Sequence, residues 1–380
     1  MLVRNELIPR KLKEDIKAKL FRGRAIIIYG PRQVGKTTLV NSILQELEEK
    51  IVYLNGDDSD VRAALTQPNI TKLEGIIGKA KVLFLDEAQR IPEIGIIIKI
   101  IIDRIKGVQV IATGSSSFVL LQSMREPLTG RAFEFVLFPF TFSELAEHTS
   151  LLEEKRNIER RLIYGAYPDI TTSVGEEKDL LGLLSGSYLY RDLSILETVS
   201  RPDLLEKVTK ALALQVGSEV STVEIGQLVS ADRNTVEKYI DLLEKAFIVF
   251  RLSALNRNVR NEIKKGKKIY FYDNGIRNAV VKNYNSIDTR NDLGALWENY
   301  CISERMKHLA YIKSPVQSHF WRTTQQQEID YIEERESTVS AFEFKINPTS
   351  KAKFSKTFLD SYNVSQTKVI SPSNIEEFIS

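Results

Sequence analysis

The chain has 380 residues and carries 53 lysines and arginines against 50 aspartates and glutamates, a net charge of +3. This length predicts roughly two to four domains, and the small net charge confines any nucleic-acid surface to local basic clusters. One cysteine and three histidines exclude an intrachain disulfide and disfavour a structural zinc site.

The charged start of the chain lacks the apolar core of a signal peptide. The apolar run at residues 94–102 is shorter than a bilayer span and predicts a buried helix. We therefore expect a soluble, cytoplasmic protein with no membrane partner.

The first predicted site begins where an apolar strand at residues 25–29 leads into the sequence GPRQVGKT at residues 30–37. This is the G-x-x-x-x-G-K-T pattern of a P-loop, followed by a helix from about Lys36. Backbone amides and the helix N-terminus then surround the phosphates of ATP, Lys36 reaches the β- and γ-phosphates, and Thr37 binds Mg2+. The alternative is a chance glycine loop before a helix. The full predicted nucleotide-binding set is Gly30, Pro31, Arg32, Gln33, Val34, Gly35, Lys36, Thr37 and Thr38.

Three further apolar runs, at residues 51–54, 81–85 and 108–112, predict strands of an α/β fold with a parallel sheet. In such sheets, function gathers at the carboxyl ends of the strands. Asp86 and Glu87 end the run at 81–85, which predicts that Asp86 holds Mg2+ and Glu87 activates the attacking water. The alternative is two solvated acids that close a strand. Ser115 or Ser116, after the run at 108–112, is predicted to sense the γ-phosphate, with a plain strand-to-loop turn as an equal alternative.

Arg131 follows the sequence Leu128-Thr129-Gly130 and precedes another predicted strand. An arginine near the γ-phosphate accelerates phosphoryl transfer and often comes from a neighbouring subunit. Arg131 is therefore a candidate arginine finger, and this role predicts a homo-oligomer, with a ring as one arrangement. The alternative is an arginine that fixes a surface loop. Residues 141–200 read as helices that form a lid.

Residues 201–275 predict a winged helix, in which two short helices meet across a tight turn and strands follow. Ser221 and Glu224 form a capping-box pattern at the start of the second helix. The start of the third helix and the basic loop between the wing strands predict DNA contacts. The alternatives are a packing module and a solvated hairpin tip. The predicted DNA-binding residues are Arg233, Asn234, Thr235, Lys238, Lys264, Lys265, Lys267 and Lys268.

Residues 276–380 contain a sparse set of acids on predicted helical and strand segments. Glu298, Asp330 and Glu343 are candidate metal ligands, and Lys345 lies two residues after Glu343 on the same strand face. Acids on neighbouring elements with a nearby lysine suit Mg2+ binding and phosphodiester cleavage. The alternative is an ordinary ion pair across a sheet.

These motifs together resemble archaeal and bacterial AAA-type ATPases with a C-terminal nuclease-like domain of the PD-(D/E)xK kind. The resemblance implies that Gly30, Gly35, Lys36, Thr37 and Asp86 bind nucleotide and Mg2+. It also implies roles for Glu87 as catalytic glutamate, for Arg131 as arginine finger, and for Glu298, Asp330, Glu343 and Lys345 as the nuclease-like set. The matching segments are 30–40, 82–93, 111–117, 128–145, 188–193, 267–277, 294–300, 328–332 and 342–345. The chain departs from the pattern at Gln325–Gln327, where relatives often have a glycine, and at Ile346 and Asn347 after Lys345.

The predicted domains are a P-loop ATPase core at 1–140, a helical lid at 141–200, a winged helix at 201–275 and a nuclease-like domain at 276–380. Three functions fit them. The first is an ATPase that acts on DNA. The second is a nucleotide-gated switch, for regulation or defence signalling, whose C-terminal domain binds a protein partner. The third is a chaperone-like ATPase. The three functions predict different responses of ATP turnover. DNA should accelerate turnover in the first and leave the slow turnover of the second unchanged, and a protein client should accelerate it in the third.

Overall fold

The computed structural model describes residues 7–114, 127–188, 201–255, 266–323, 325–350 and 352–379. The chain divides into two compact units, Met1–Phe138 and Pro139–Ser380. Within the described ranges, no helix combines the length and the apolar character needed to cross a bilayer.

The first unit is an α/β domain built on a parallel sheet. Its described strands are β1 (Ala25–Tyr29), β2 (Ile51–Asn55), β3 (Val82–Asp86), β4 (Gln109–Gly114) and β5 (Ala132–Val136). Its described α-helices are α1 (Leu12–Lys17), α2 (Lys36–Leu44), α3 (Ser59–Leu65), α4 (Ile70–Ile77) and α5 (Ile94–Arg104). The strand order is β2-β3-β4-β1-β5, and each neighbouring pair is parallel. The predicted α/β fold with a parallel sheet is confirmed.

The core of the first unit follows from its apolar runs. Strand β3 is buried at every position, which requires helices on both faces of the sheet. Helix α5 covers part of one face with Ile94, Ile97, Ile98 and Ile101, all at most 1% exposed. The apolar run at 94–102 therefore lies in a helix with a buried apolar face, as its length predicts.

The second unit joins helices to a larger mixed sheet. Its described α-helices are α6 (Phe142–His148), α7 (Leu151–Arg156), α8 (Ile158–Tyr164), α9 (Pro168–Thr172), α10 (Glu177–Leu183), α11 (Pro202–Leu214), α12 (Thr222–Val229), α13 (Arg233–Lys245), α14 (Asn274–Val281), α15 (Leu293–Tyr311), α16 (Lys356–Ser361) and α17 (Glu376–Ile379). Its described strands are β6 (Glu219–Val220), β7 (Val249–Ala254), β8 (Lys267–Phe271), β9 (Gln317–Arg322), β10 (Glu328–Arg335), β11 (Thr338–Phe344) and β12 (Val364–Ile370).

These strands form one sheet in the order β12-β11-β10-β9-β7-β8-β6. Strands β6, β8 and β7 pair antiparallel, as do β9, β10 and β11. A short parallel pairing, Ser253 with His319 and Ala254 with Phe320, connects the two groups. The segments predicted as a winged helix and as a nuclease-like domain thus share a sheet, while their division at residue 275 stays a prediction.

The described part of the predicted lid is tied to the rest of the second unit by buried hydrogen bonds. The Phe142 N–H donates to Glu304 Oε2 at 2.7 Å, and the Ala166 N–H donates to Asp273 Oδ2 at 2.7 Å. A Cβ at Gly165 would lie 2.0 Å from Asp273 Oδ1, so this contact requires glycine. Both acids are nearly fully buried, and breaking either bond would leave a costly unpaired group.

Candidate active site

The loop after β1 carries the chain into α2, which begins at Lys36 as predicted. Gly30 and Gly35 have positive φ angles of 149° and 86°. A Cβ at Gly30 would lie 2.0 Å from the Leu137 carbonyl oxygen, so only glycine lets the loop pass the chain that leaves β5. Gly35 is left-handed at the N-cap of α2. The glycines therefore shape a loop around a helix N-terminus, the arrangement that binds phosphates.

The Lys36 side chain lies inside this loop and is 6% exposed. Its ammonium donates to the carbonyl oxygens of Gly30 at 3.1 Å and Pro31 at 2.7 Å. A bound triphosphate would compete for these protons, because an ammonium has three donors to share. Among the other predicted loop residues, Val34 is buried, Arg32 and Thr37 are half-buried, and Gln33 and Thr38 are exposed.

Arg10 holds the loop from outside the motif. Its Nη1 donates to the Val34 carbonyl oxygen at 3.1 Å, and its Nη2 donates to the Phe138 carbonyl oxygen at 2.5 Å. A guanidinium can bind two carbonyls at once because its donors form a rigid fork. No local sequence pattern marks this role, since Arg10 lies 24 residues before Val34.

Asp86 is the centre of the predicted metal site and is 5% exposed. The Thr37 hydroxyl donates to its Oδ2 at 2.9 Å, and the Tyr53 hydroxyl donates to the same oxygen at 3.3 Å. The Thr113 hydroxyl donates to Oδ1. The structure thus brings Thr37 and Asp86 together as predicted, and adds Tyr53 and Thr113 from the flanking strands. Burial, followed by the charge of Asp86, raises the pKa of Tyr53.

The donor atoms at this site fit Mg2+. This cation takes hard oxygen ligands and usually uses one or two carboxylates, with substrate phosphates and waters completing the shell. Thr37 and Asp86 offer a hydroxyl and a carboxylate 2.9 Å apart. The described residues contain no group of three or more acids, histidines or cysteines arranged to hold a metal, but a phosphate-bound Mg2+ does not need one.

Glu87 follows Asp86 with a strained backbone. Its φ of 47° is left-handed, a conformation that costs a non-glycine residue about 1–3 kcal/mol and often marks functional sites. Its carboxylate is half-buried and accepts a hydrogen bond from Gln89 Nε2 at 2.5 Å. A Cβ at Gly56 would lie 2.4 Å from the Glu87 carbonyl oxygen, so glycine there accommodates the turn. Ser115 lies outside the described residues.

Arg131 lies at the amino ends of the strands, whereas the P-loop of its own chain follows the carboxyl end of β1. It precedes β5, and its carbonyl accepts a hydrogen bond from the N–H of Ala25, the first residue of β1. A five-residue strand spans roughly 16 Å, beyond the reach of this side chain. Arg131 Nε donates to Asp103 Oδ1 at 2.9 Å, and this bond lowers the pKa of Asp103. An arginine-finger role for Arg131 therefore stays a prediction, and it would require a nucleotide held by another copy of the chain.

Four of the predicted DNA-binding residues lie on the first turns of α13, and Lys267 and Lys268 lie on β8. Arg233, Asn234 and Lys238 are exposed on the first turns of α13. Thr235 is half-buried, and its hydroxyl donates at 2.5 Å to Asp232, the N-cap residue of α13. The Lys267 side chain is 41% exposed, with its ammonium 3.3 Å from Glu237 Oε1. Lys264 and Lys265 lie outside the described residues.

Lys268 is not on the surface where the sequence predicted it. Its side chain is 1% exposed, with Nζ 3.1 Å from Glu298 Oε1 and 2.5 Å from Glu328 Oε1. Burial lowers the pKa of Lys268, but the two carboxylates outweigh it and the net effect is a raised pKa. The expectation of a DNA phosphate contact is corrected, because strand alternation turns this side chain inward while Lys267 stays outside.

The structure brings the predicted nuclease-like residues together. Lys345 Nζ lies 3.1 Å from Glu343 Oε2, and the Phe344 N–H donates to Asp330 Oδ2 at 2.9 Å. Burial raises the pKa of Glu298 to about 7, and burial with the charge of Asp330 raises the pKa of Glu343 to about 7. Lysines pair with these acids, Lys268 with Glu298 and Lys345 with Glu343, and the metal site expected at Glu298, Asp330 and Glu343 stays a prediction.

Comparison with known proteins divides the chain into three matched regions. Residues 22–146 match the family model of an AAA domain. Residues 155–287 and 293–377 match two domains of unknown function, DUF8612 and DUF4143. The PD-(D/E)xK character implied by the resemblance is not among these matches.

Similar proteins span most of this chain. An uncharacterized protein of Mycobacterium tuberculosis is 25% identical over 340 residues, covering 88% of this chain and 73% of the relative. An uncharacterized protein of Methanocaldococcus jannaschii is 23% identical over 371 residues, covering 91% and 80%.

Among solved structures, the Aeropyrum pernix ORC1 protein in complex with DNA is similar, with a TM-score of 0.31 and 15% identity, covering 74% of this chain and 95% of that protein. A TM-score this low supports no inference about the fold or function of this chain. Residues 22–146, which contain the P-loop and Asp86, therefore match an AAA domain.

Proposed function

We propose that the first unit binds ATP with Mg2+ and hydrolyses it. One observation carries this proposal: the Thr37 hydroxyl and the Asp86 carboxylate lie 2.9 Å apart, beside a glycine loop that encloses the Lys36 ammonium. Two oxygen donors for Mg2+ and a buried cation for phosphates are the parts that a P-loop enzyme needs. The match to an AAA domain supports the same activity.

Each residue has a separate role in this proposal. The loop amides and Lys36 bind the phosphates, while Thr37 and Asp86 hold the cation. The cation, when bound, neutralises charge that develops on the phosphates. Tyr53 and Thr113 position Asp86 through their hydrogen bonds. Glu87 acts on water, because its half-buried carboxylate follows Asp86 at the edge where the P-loop lies.

The substitution Glu87→Gln tests the proposal. We expect the variant to keep ATP affinity within about twofold, since Glu87 acts on water and not on the phosphates, and to lower turnover by at least about a hundredfold. Phosphate release measures turnover, and calorimetric titration with Mg-ATP measures affinity.

The matched control is Glu93→Gln. Glu93 is an exposed acid with a left-handed φ of 54° in the same unit, so it controls for the loss of an acid from a strained position. Glu93→Gln should leave turnover unchanged. Full turnover in Glu87→Gln would refute the role of Glu87, and absence of Mg-ATP binding by the unaltered protein would refute the whole proposal.

We further propose that the second unit associates with DNA. The described elements follow the order α11-β6-α12-α13-β7-β8, in which the three strands pair as β7-β8-β6. This order supports a winged helix, and α13 presents Arg233, Asn234 and Lys238 to solvent at its start, where recognition helices contact DNA. A packing module would not require basic and amide side chains there.

A further inference from the structure

The acidic cluster of the second unit contains its own cation. The cluster consists of Glu298 from α15, Glu328 and Asp330 from β10, and Glu343 from β11. Lys268 from β8 places Nζ 3.1 Å from Glu298 Oε1 and 2.5 Å from Glu328 Oε1. One ammonium therefore bridges carboxylates from two separate elements, which is what a bound metal ion does in sites built from acids.

The rest of the cluster is also engaged. The Tyr270 hydroxyl donates to Glu298 Oε1 at 2.6 Å. Lys345 Nζ lies 3.1 Å from Glu343 Oε2, and Asp330 accepts the Phe344 N–H at 2.9 Å. The four carboxylates and two ammonium groups carry a formal net negative charge, which a divalent cation could balance. Each acid of the cluster, however, already has a hydrogen-bond or ion-pair partner.

The two lysines differ in how readily their side chains can move away from the acids. The Lys345 side chain is 35% exposed and can turn into solvent. The Lys268 side chain is 1% exposed and lies with Nζ 5.4 Å from the centre of the Phe320 ring. A divalent cation bound to Glu298 would lie near this buried positive charge in a low-dielectric interior, where repulsion is strong.

We infer that Lys268 replaces a divalent metal ion in this cluster, so that the second unit holds its acids together without a metal. The resemblance to nuclease-like domains implies a metal at Glu298, Asp330 and Glu343, and the position of Lys268 disagrees with that expectation. The ion pairs of Lys268 then connect strand β8 to α15 and β10. Metal-dependent cleavage of DNA at this cluster does not follow from the arrangement.

Binding of Mn2+ to the nucleotide-free full-length protein tests this inference. Electron paramagnetic resonance counts free Mn2+, and the variant Asp330→Asn shows which binding belongs to the cluster, because Asp86 at the P-loop is unchanged in it. We expect the unaltered protein and Asp330→Asn to bind equally. Tenfold or greater weakening in Asp330→Asn would show that the unaltered cluster binds metal and would overturn the inference.

The substitution Lys268→Met tests the cause. Methionine keeps most of the volume of the side chain and removes its charge, so we expect one additional Mn2+ site that disappears in the double variant with Asp330→Asn. A folded Lys268→Met protein without this site would overturn the assignment of Lys268. Lys268→Arg is the matched control, since it keeps the charge and should gain no site. If Lys268→Met does not fold, the comparison of the unaltered protein with Asp330→Asn decides the inference.

Discussion

At the scale of single residues, Asp86 illustrates how neighbours outside the motif complete a site. The sequence predicts Asp86 from its position after a buried strand. Its partners Tyr53 and Thr113 lie 33 and 27 residues away in the chain, and no local pattern marks them. They meet Asp86 because β2 and β4 flank β3 in parallel register.

Gly30 is the residue whose replacement should cost the first unit most directly. An alanine Cβ there would lie 2.0 Å from the Leu137 carbonyl oxygen, and the φ of 149° is itself unfavourable for a side chain. We expect Gly30→Ala to lower the free energy of unfolding by about 2–4 kcal/mol. Urea unfolding followed by circular dichroism measures the change.

Gly75 provides the matched control for this prediction. It is an exposed glycine within α4, and a Cβ there would meet nothing within 4 Å. Gly75→Ala should raise stability by about 0.5–1 kcal/mol, the difference in helix propensity. Equal stability of Gly30→Ala and the unaltered protein would contradict the close packing of the P-loop against the chain after β5.

At the scale of elements, α13 carries basic side chains at its start and acids along its length. Its acids Glu237, Asp241 and Glu244 all pair with Arg251 of β7. Arg251 offsets one of these three negative charges, and Lys267, with its ammonium 3.3 Å from Glu237 Oε1, offsets a second. At the start of the helix, Arg233 is exposed to solvent, where it can contact an external partner.

The DNA proposal is therefore tested on α13. Replacing Arg233 and Lys238 together with alanine should weaken duplex DNA binding. The dependence of log affinity on log salt should also become shallower, by about 1 for each lost phosphate contact. Fluorescence anisotropy over a series of salt concentrations measures both quantities.

Lys210→Ala is the control for the loss of a positive charge, because Lys210 is exposed on α11 of the same unit. It should change neither the affinity nor the salt dependence by a comparable amount. The same weakening in Lys210→Ala would mean a nonspecific effect of charge, and no weakening in the double variant would remove α13 from the DNA interface.

At the scale of the whole molecule, the position of Arg131 connects activity to assembly. Arg131 lies at the amino ends of the strands, and its own P-loop lies at their carboxyl ends. A role in hydrolysis would therefore require a second copy of the chain. We expect Arg131→Ala to lower turnover at least about tenfold. Mixing it with Lys36→Ala should restore activity, because mixed assemblies combine one intact P-loop with one intact arginine.

The substitution Asp103→Asn separates this role from a structural one. It removes the ion pair that holds Arg131 at 2.9 Å but keeps the arginine. A catalytic arginine predicts that Asp103→Asn retains most of its turnover. Equal losses in Arg131→Ala and Asp103→Asn, with no recovery on mixing, would show that Arg131 only fixes its loop.

The sequence alone determined the parts of this protein that depend on contiguous residues. The P-loop, the start of α2 at Lys36, the strand before Asp86 and the buried helix α5 all follow from local spacing and apolar runs. These patterns are reliable because phosphate binding and strand burial impose requirements on neighbouring residues in the chain.

The tertiary structure decided what depends on distant residues. It turned Lys268 from an expected surface contact into the buried partner of Glu298, 30 residues away, and it placed Arg131 out of reach of its own P-loop. The physical reason is that strand order and register fix which side chains meet across a sheet. They are set by packing of the whole chain and not by any short segment.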